Sequence, residues 1–544
     1  QIMMKKTIKK LLAALLAVAM VCAMAIPAFA YNPGETEENL NGTHGYSAFQ
    51  IFKGVISKDN PTLSGVDWGQ NITEPDIFLA NLKNDPTIGE KFETAATAQE
   101  VLAVISQWSD SDDDSIAFAR FVCHYLYSNG DPQSTIVGGG GAIKIPEPGY
   151  YLIVDTTYFN PGDYYHAYNS FFLLNVPQVP YVVPINRKVV KPTVEKEVYD
   201  NQDGTNEAGF GSSADHAINE KFQFQLIAKL PASKDNGRAY DYYDKYTVCF
   251  NDTLSAGITF DNLDTVKIAN VDGDNSKEIT NYKFDDTDLH EAGHPTSFKL
   301  SIDDVKTCAA AAGLNLNDGA TITVTYTAHL NEKAYVNTAG GPTDNNNSVF
   351  LQYSNNPINT SVGQTPESKV CVYTYQLNNT KYHDEDKPGN ELEGAGFRLY
   401  SDEACNNEIK LKKNNDGTYS PYFGTDAGDE MFSDEHGQFN VKGLDAGTYY
   451  LKETNPPADY SACADKEIVI SATHDVNHVS LSGNLSTTII NKKAGGITLP
   501  STGGIGTTIF CAVVGIGQLV HILGIGGHST GLMQLVDVIA DSGV

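Results

Sequence analysis

The sequence is poor in basic residues, methionine and tryptophan. Its 544 residues include 37 Lys and Arg against 67 Asp and Glu, which gives a formal net charge of −30. A protein that follows a phosphate backbone needs a basic face, so this balance excludes nucleic-acid binding as the main function. Only 6 Met and 2 Trp accompany 48 Gly, 29 Tyr and 23 Phe, a composition that favours strands and turns over long helical bundles.

Long apolar runs are confined to the two ends of the chain. Four lysines precede an apolar run over 11–26, and the small-residue site 28–30 follows it. This order predicts a secretory signal peptide over residues 1–30, cleaved after Ala30. The run is shorter than the roughly 20 apolar residues that a membrane-spanning helix needs. We therefore expect the chain to be exported.

Cysteine is also scarce for an exported protein. Of the eight cysteines, Cys22 and Cys511 lie in the end segments, and the other six are too few for a dense disulfide framework. Cys123 falls in a helical pattern, and Cys249 lies beside the core face of a strand. We predict that both are buried thiols.

Proline-rich segments divide the remaining chain into three modules, with boundaries at 31–188, 189–365 and 366–494. In the first module, residues 97–128 carry apolar side chains at helical spacing. The second and third modules alternate apolar and polar residues between turn signals. The predicted fold is mainly β: tandem immunoglobulin-like β-sandwiches preceded by a mixed, β-rich N-terminal domain with a helical insertion.

Each predicted sandwich has a lysine, a carboxylate and an asparagine in phase with its buried apolar residues. Side chains of a strand point to alternate faces, so these polar residues are predicted to face the core. The residues of the third module are Lys381, Glu453 and Asn491, and those of the second module are Lys196, Asp252 and Asn355. Asn356, next to Asn355, is an alternative partner.

These residue types predict a single covalent reaction within each module. Burial lowers the pKa of a lysine and raises that of a carboxyl group, so a neutral amine meets a protonated acid. The amine then attacks the asparagine side chain, ammonia leaves, and the carboxyl group moves the protons. The reaction occurs once and needs no cofactor, so we predict self-crosslinking and no enzyme activity. The alternative at each site is a buried ion pair.

A second motif lies near the C-terminal end of the chain. Its residues are Leu499, Pro500, Ser501, Thr502 and Gly503, and a Gly-rich apolar stretch follows them. The motif resembles the LPxTG signal through which sortase transpeptidases attach surface proteins of Gram-positive bacteria. Residues 495–503 are then the linker and sorting signal. Segment 504–544 lacks the usual basic residues, and we expect an aberrant tail there.

The resemblance extends into two modules. Residues 447–454 and 491–493 resemble the B-type repeat of the collagen adhesin, and residues 192–196 and 353–357 are similar to the middle domain of backbone pilins. The resemblance implies isopeptide bonds between Lys381 and Asn491, assisted by Glu453, and between Lys196 and Asn355, assisted by Asp252. Similar pilin domains also imply a disulfide between Cys405 and Cys463.

The whole chain thus resembles a sortase-assembled backbone pilin with a structural and adhesive role on the cell wall. The resemblance implies that Thr502 of one subunit is joined to a lysine of the next, for which Lys188 fits best and Lys191 is the rival. The implied partners are pilus-type and housekeeping sortases, identical subunits, tip and basal pilins, peptidoglycan, and an unidentified host or matrix ligand. The alternative is a wall-anchored monomeric adhesin.

A zinc-protease pattern and two further histidines are assigned no function. Residues 290–294 fit H-E-x-x-H, but Pro295 follows directly and disfavours the helix that this chemistry requires. His474 and His478 lie in a polar strand–turn region, where we predict solvated side chains. The prediction is therefore that the protein holds no metal.

Overall fold

The computed structural model describes residues 45–56, 63–109, 112–128, 136–139, 142–155, 171–176, 181–184, 191–201, 208–231, 242–271, 275–290, 295–317, 319–337, 345–357, 360, 362–483 and 485–494. Over these residues the chain is mainly β and forms several sheets, which confirms the predicted fold class. None of the helices in the described ranges is long and apolar enough to cross a membrane.

The first module has one seven-stranded sheet and three helices. The strands are β1 (Gly45–Ile56), β2 (Leu63–Trp68), β3 (Ile136–Gly139), β4 (Ala142–Ile145), β5 (Gly149–Asp155), β6 (Phe171–Val176) and β7 (Tyr181–Pro184). Their order is β6-β5-β1-β3-β4-β7, and β2 pairs with β1. The helices are α1 (Pro75–Lys83), α2 (Ala98–Ile105) and α3 (Asp113–Tyr127), with a 3₁₀ turn at Gly89–Phe92.

The helices of the first module have clear local causes. Thr97 caps α2 in a reciprocal capping box, in which the Glu100 amide donates to Thr97 Oγ1 at 3.2 Å and the Thr97 amide donates to Glu100 Oε2 at 3.1 Å. Helices α2 and α3 form the predicted helical insertion. They pack on the sheet through an aromatic cluster that includes Phe92 and Phe118, whose ring centroids lie 6.0 Å apart.

The second module is a sandwich of two sheets. Its strands are β8 (Thr193–Asp200), β9 (Gly209–Gly211), β10 (Ser213–Asp215), β11 (Lys221–Lys229), β12 (Val248–Leu254), β13 (Ile258–Ala269), β14 (Lys277–Glu278), β15 (Lys283–Asp285), β16 (Thr296–Ile302), β17 (Thr321–Leu330), β18 (Asn346–Ser354), β19 (Val362–Gln364) and β20 (Ser368–Tyr373). One sheet has the order β10-β20-β18-β12-β16-β15 with β19 on β18, and the other β14-β13-β17-β11-β8-β9. A helix, α4 (Val305–Ala311), and a 3₁₀ turn (Thr287–His290) complete the module.

The sheet of the second module extends past the predicted boundary at residue 365. Strand β20 pairs with β18 and β10, so the sheet of the second module extends to Tyr373 and not to residue 365. The buried run Val370–Tyr373 serves both modules, because Val370 and Val372 pack in the core of the second module and Cys371 and Tyr373 pack in the core of the third. Strand β20 is therefore shared between the two modules.

The third module is also a two-sheet sandwich. Its strands are β21 (Tyr375–His383), β22 (Gly396–Tyr400), β23 (Glu408–Ile409), β24 (Leu411–Lys413), β25 (Tyr419–Pro421), β26 (Met431–Phe432), β27 (Val441–Leu444), β28 (Gly447–Asn455), β29 (Lys466–His474), β30 (Val479–Gly483) and β31 (Ser486–Asn491). The orders are β24-β25-β27-β21-β31 and β23-β22-β28-β29-β30, with β26 on β22. The first strand, β21, and the last, β31, are parallel neighbours.

Candidate crosslinking sites

The interior of the third module holds a lysine, a glutamate and an asparagine in mutual contact. Lys381 lies on β21, Asn491 ends the parallel strand β31, and Glu453 lies on β28 of the other sheet. Lys381 Nζ donates a hydrogen bond to Asn491 Oδ1 and lies 3.3 Å from Glu453 Oε1. Asn491 Nδ2 donates to the same Glu453 oxygen at 2.7 Å. These are the three residues that the sequence analysis names, and all three are buried.

The surroundings of Lys381 shift it toward its neutral amine. Burial lowers the pKa of Lys381, and the nearby Cys463 thiol and Glu453 carboxylate oppose this only in part. The ring of Phe397 lies 5.3 Å from Nζ. Glu453 is held in place because its Oε2 accepts a hydrogen bond from the Cys463 amide at 2.8 Å. The arrangement therefore places a nucleophile, an acid–base group and a carboxamide within contact distance.

The second module has a corresponding buried cluster. Lys196 on β8 donates to Asp252 Oδ2 on β12, and its Nζ lies 3.0 Å from the hydroxyl oxygen of Tyr326 on β17. The Tyr326 hydroxyl donates to Asp252 Oδ1 at 3.2 Å and accepts a hydrogen bond from Asn347 Nδ2 on β18. The four side chains are almost completely buried. Tyr326 thus links the lysine, the aspartate and an asparagine.

The pKa values of this cluster move in the directions that the chemistry requires. Burial lowers the pKa of Lys196 to about 8, although the Asp252 charge opposes the shift. Burial raises the pKa of Asp252 against the effect of Lys196. Burial, reinforced by the Asp252 charge, also raises the pKa of Tyr326. Both shifts therefore move the pair toward a neutral amine beside a protonated acid.

The strand register places Asn347, and not the predicted Asn355, at the end of β18 that meets this cluster. In the register of β12 and β18, Leu254 pairs with Asn347, while Val248 pairs with Tyr353. Asn355 follows the last residue of β18, about 26 Å along the strand direction from Asn347. The alternative, Asn356, lies at the same distant end. Asn347 is the asparagine that faces Lys196 and Asp252.

The difference between the predicted and the observed asparagine has its cause in the period of the strand. Asn347 and Asn355 are eight residues apart, so both are in phase with the buried Val349, Leu351 and Tyr353. Alternation identifies the face of a strand but does not say which end meets a given neighbour. Tyr326 was missed because it continues an apolar alternation in β17 and resembles an ordinary core residue.

The predicted disulfide between Cys405 and Cys463 is not formed, and both residues are free thiols. Cys463 packs against the core near Glu453, and burial raises the pKa of its thiol to about 11. Cys405 lies at an exposed turn, where its Sγ is 3.7 Å from Asp465 Oδ2. The two thiols are directed toward different surroundings. Cys123 and Cys249 are also free thiols; Cys123 is buried, and Cys249 is half-buried.

Several predicted residues lie outside the described ranges. They include the signal peptide over 1–30, the polymerisation lysine Lys188, the sorting signal Leu499–Gly503, the tail 504–544 and residues 291–294 of the H-E-x-x-H pattern. The rival lysine, Lys191, is described and exposed. In the described part of the first module, none of the lysines is buried.

His474 differs from its prediction, whereas His478 is exposed as expected. The His474 side chain is only 5% exposed, and its Nε2 lies 3.4 Å from Asp215 Oδ1 and 3.7 Å from Asp200 Oδ2. Both aspartates belong to the second module. The side chain was predicted to be solvated because the sequence around it is polar, but the contact across the module boundary buries it.

One protein-family model matches part of the chain, within the third module. The family model described as SpaA, a prealbumin-like fold domain, matches residues 378–484. This range begins inside β21 and covers most of the module, including Lys381 and Glu453 but not Asn491. No curated protein matches the chain.

Comparison with solved structures finds similarity to pilus proteins. The T6 backbone pilin of serotype M6 Streptococcus pyogenes is 16% identical over 84% of this chain and 97% of that chain, with a TM-score of 0.43. The full-length major pilin SpaD from Corynebacterium diphtheriae is 15% identical over 86% of this chain and 95% of that chain, with a TM-score of 0.42. Likenesses at this level carry no functional conclusion.

Proposed function

We propose that this chain is the structural subunit of a covalently assembled fibre on the surface of a Gram-positive cell. In this proposal the second and third modules are each closed by a self-formed amide between a lysine and an asparagine. The observation that carries the proposal is the buried contact of Lys381, Glu453 and Asn491. A fibre subunit bears load along its length, and a bond between the first and last strands prevents a module from unravelling.

The proposed reaction in the third module balances without a cofactor or an oxidant. The neutral Lys381 Nζ attacks Asn491 Cγ and forms a new carbon–nitrogen bond. The bond from Cγ to Nδ2 breaks, and ammonia leaves. Glu453 contacts both nitrogen atoms, so it can take a proton from the attacking amine and deliver one to the leaving group. The product is a secondary amide.

In the second module we propose that Lys196 reacts with Asn347 and that Asp252 is the acid–base group. Tyr326 is a positioning residue, because its hydroxyl is hydrogen-bonded to both Asp252 and Asn347. Burial matters for the rate. With a pKa of about 8 instead of 10.5, the neutral fraction of Lys196 at pH 7 rises from about 1 in 3000 to about 1 in 10. Burial thus supplies about 300 times more nucleophile.

The assembly step of the proposal follows from the resemblance. A sortase would cleave between Thr502 and Gly503 and hold Thr502 as a thioester until the amine of Lys188 in the next subunit displaces it. Identical subunits, tip and basal pilins, and peptidoglycan are the proposed partners. A lysine at the boundary between the first and second modules suits the role of nucleophile because the neighbouring Lys191 is exposed, whereas Lys196 and Lys381 are buried.

Co-expression with a pilus-type sortase tests the assembly step. The chain should carry a C-terminal segment ending in basic residues, and the product should be examined on a denaturing gel after boiling. We expect a high-mass ladder that Lys188→Ala reduces to monomer, while the matched variant Lys191→Ala keeps it. A ladder that survives Lys188→Ala places the nucleophile elsewhere. No ladder with any form of the chain favours the monomeric adhesin.

A further inference from the structure

The contact between the second and third modules encloses a group of ionisable side chains that the crosslinking chemistry does not use. His216 and Glu220 come from the loop between β10 and β11, and Asp445 follows β27 of the third module. One potential ligand atom from each residue lies within 4.8 Å of the other two. His216 is 2% exposed and Asp445 is 9% exposed. The group is therefore enclosed by both modules.

The hydrogen bonds of His216 leave one ring nitrogen available to a ligand. Its Nε2 lies 2.7 Å from the carbonyl oxygen of Tyr199, which only accepts hydrogen bonds, so Nε2 carries a proton. In the neutral imidazole the lone pair is then on Nδ1. This buried atom has no hydrogen-bond partner among the described residues, and the nearest Glu220 oxygen is 3.7 Å away. A carbonyl that fixes the tautomer of a histidine in this way is typical of metal ligands.

Packing also fixes the direction of the His216 ring. The ring stacks on Phe222, with centroids 4.1 Å apart and planes 3° apart. Asp445 is oriented by two hydrogen bonds, from its neighbouring Ala446 amide and from Asn201 Nδ2, both at 3.0 Å. The Asn201 Oδ1 is buried and has no hydrogen-bond partner among the described residues. It is a candidate fourth ligand.

We propose that a divalent transition-metal cation of the Zn²⁺ type binds His216 Nδ1, Glu220 and Asp445 and joins the second module to the third. Two ligand atoms of a tetrahedral Zn²⁺ site are about 3.4 Å apart, so the 3.7 Å between His216 Nδ1 and Glu220 needs little movement. Two carboxylates with a neutral imidazole carry the two negative charges that such a cation neutralises. The nitrogen ligand favours Zn²⁺ over Ca²⁺, which prefers oxygen.

The position of the site predicts what the cation does. Next to it, the Ile218 amide donates to the Gly443 carbonyl at 2.9 Å across the boundary between the modules. A Cβ at Gly443 would lie 2.5 Å from the Ile218 side chain, so the missing side chain of Gly443 leaves the space that Ile218 fills. A cation at this boundary therefore stiffens a junction that packing has formed. This role is separate from the crosslinks inside each module.

Calorimetric titration of the full, untagged chain with Zn²⁺ tests the proposal, after chelator treatment and removal of the chelator. Mn²⁺ and Ca²⁺ serve as comparison probes. We expect one Zn²⁺ per chain and a melting temperature higher by about 5 °C at a hundredfold excess over Kd. The near-isosteric variants Glu220→Gln and Asp445→Asn should each weaken binding by more than about 10-fold, because each removes a ligand.

Three control variants locate the cation. His474→Gln changes the neighbouring cluster with Asp200 and Asp215, His329→Gln changes a histidine paired with Asp261 at 2.8 Å, and His294→Gln changes the H-E-x-x-H pattern. All three should bind Zn²⁺ like the parent. The proposal is overturned by any of four results: no binding by the parent, undiminished binding by Glu220→Gln and Asp445→Asn, loss of binding in a control variant, or tighter binding of Ca²⁺ than of Zn²⁺.

Discussion

Replacing Asn347 by Ala should remove one crosslink, whereas replacing Asn355 by Ala should remove none. Asn347 contacts the Tyr326 hydroxyl that also binds Lys196 and Asp252, while Asn355 lies at the other end of β18. The two variants delete the same chemical group, Asn347 near the start of β18 and Asn355 directly after its end. Asn355→Ala is therefore a matched control.

The size of the effect follows from the proposed bond. Each amide formed releases one ammonia, a loss of about 17 Da, so residues 31–494 should be lighter than calculated by two such losses. Asn347→Ala should show one loss, and Asn355→Ala should show two. The bond from Lys196 to Asn347 closes a loop of about 150 residues, and the chain-entropy relation used for disulfides gives about 5 kcal/mol as its contribution to stability.

Intact mass spectrometry of the purified chain is the assay, with peptide mapping to find the branched peptide that contains Lys196. Thermal unfolding of the same samples checks the stability change. Two losses retained in Asn347→Ala, or one loss removed by Asn355→Ala, would refute the assignment of Asn347. A parent chain with no mass deficit would refute self-crosslinking in both modules and leave buried ion pairs in its place.

Three further predictions concern the same two sites. Glu453→Ala should abolish the loss of ammonia in the third module, and Asp252→Ala should abolish the loss in the second, as measured by intact mass. The bond from Lys381 to Asn491 spans 110 residues. Glu453→Ala should therefore leave the module folded but lower its melting temperature by about 15 °C or more, as measured by calorimetry. Tyr326→Phe should slow crosslinking of the second module while the third module stays fully crosslinked. Freshly made protein should then show a mixture of masses. Equal crosslinking rates with and without the Tyr326 hydroxyl group would exclude a positioning role for Tyr326. Because burial raises the pKa of Cys463 to about 11, its alkylation should be slow at pH 8 and rise about tenfold per pH unit up to that value. Cys405, a half-buried thiol at a turn away from the core, should be labelled first. A reduction-dependent mass change of about 2 Da would instead indicate the disulfide.

Much of the third module could be predicted from the sequence, because the pattern that identifies its buried residues can be read within each single strand. Alternation with period two identifies the core face, and a lysine, a glutamate and an asparagine on that face are conspicuous. The resemblance to a known repeat selects the same residues, and the structure brings them together. The helical insertion and the mainly β fold also follow from periodicity.

Tertiary structure alone decided the contacts that depend on register and on neighbouring modules. Asn347 and Asn355 share a phase, so only the pairing of β12 with β18 distinguishes them. The burial of His474 depends on a partner 261 residues away, Ser213, whose hydroxyl lies 2.9 Å from His474 Nδ1. His216 and Asp445 likewise meet only because two folded modules are in contact. Sequence periodicity specifies the face of a strand, but only the assembled sheets determine which residue lies opposite it.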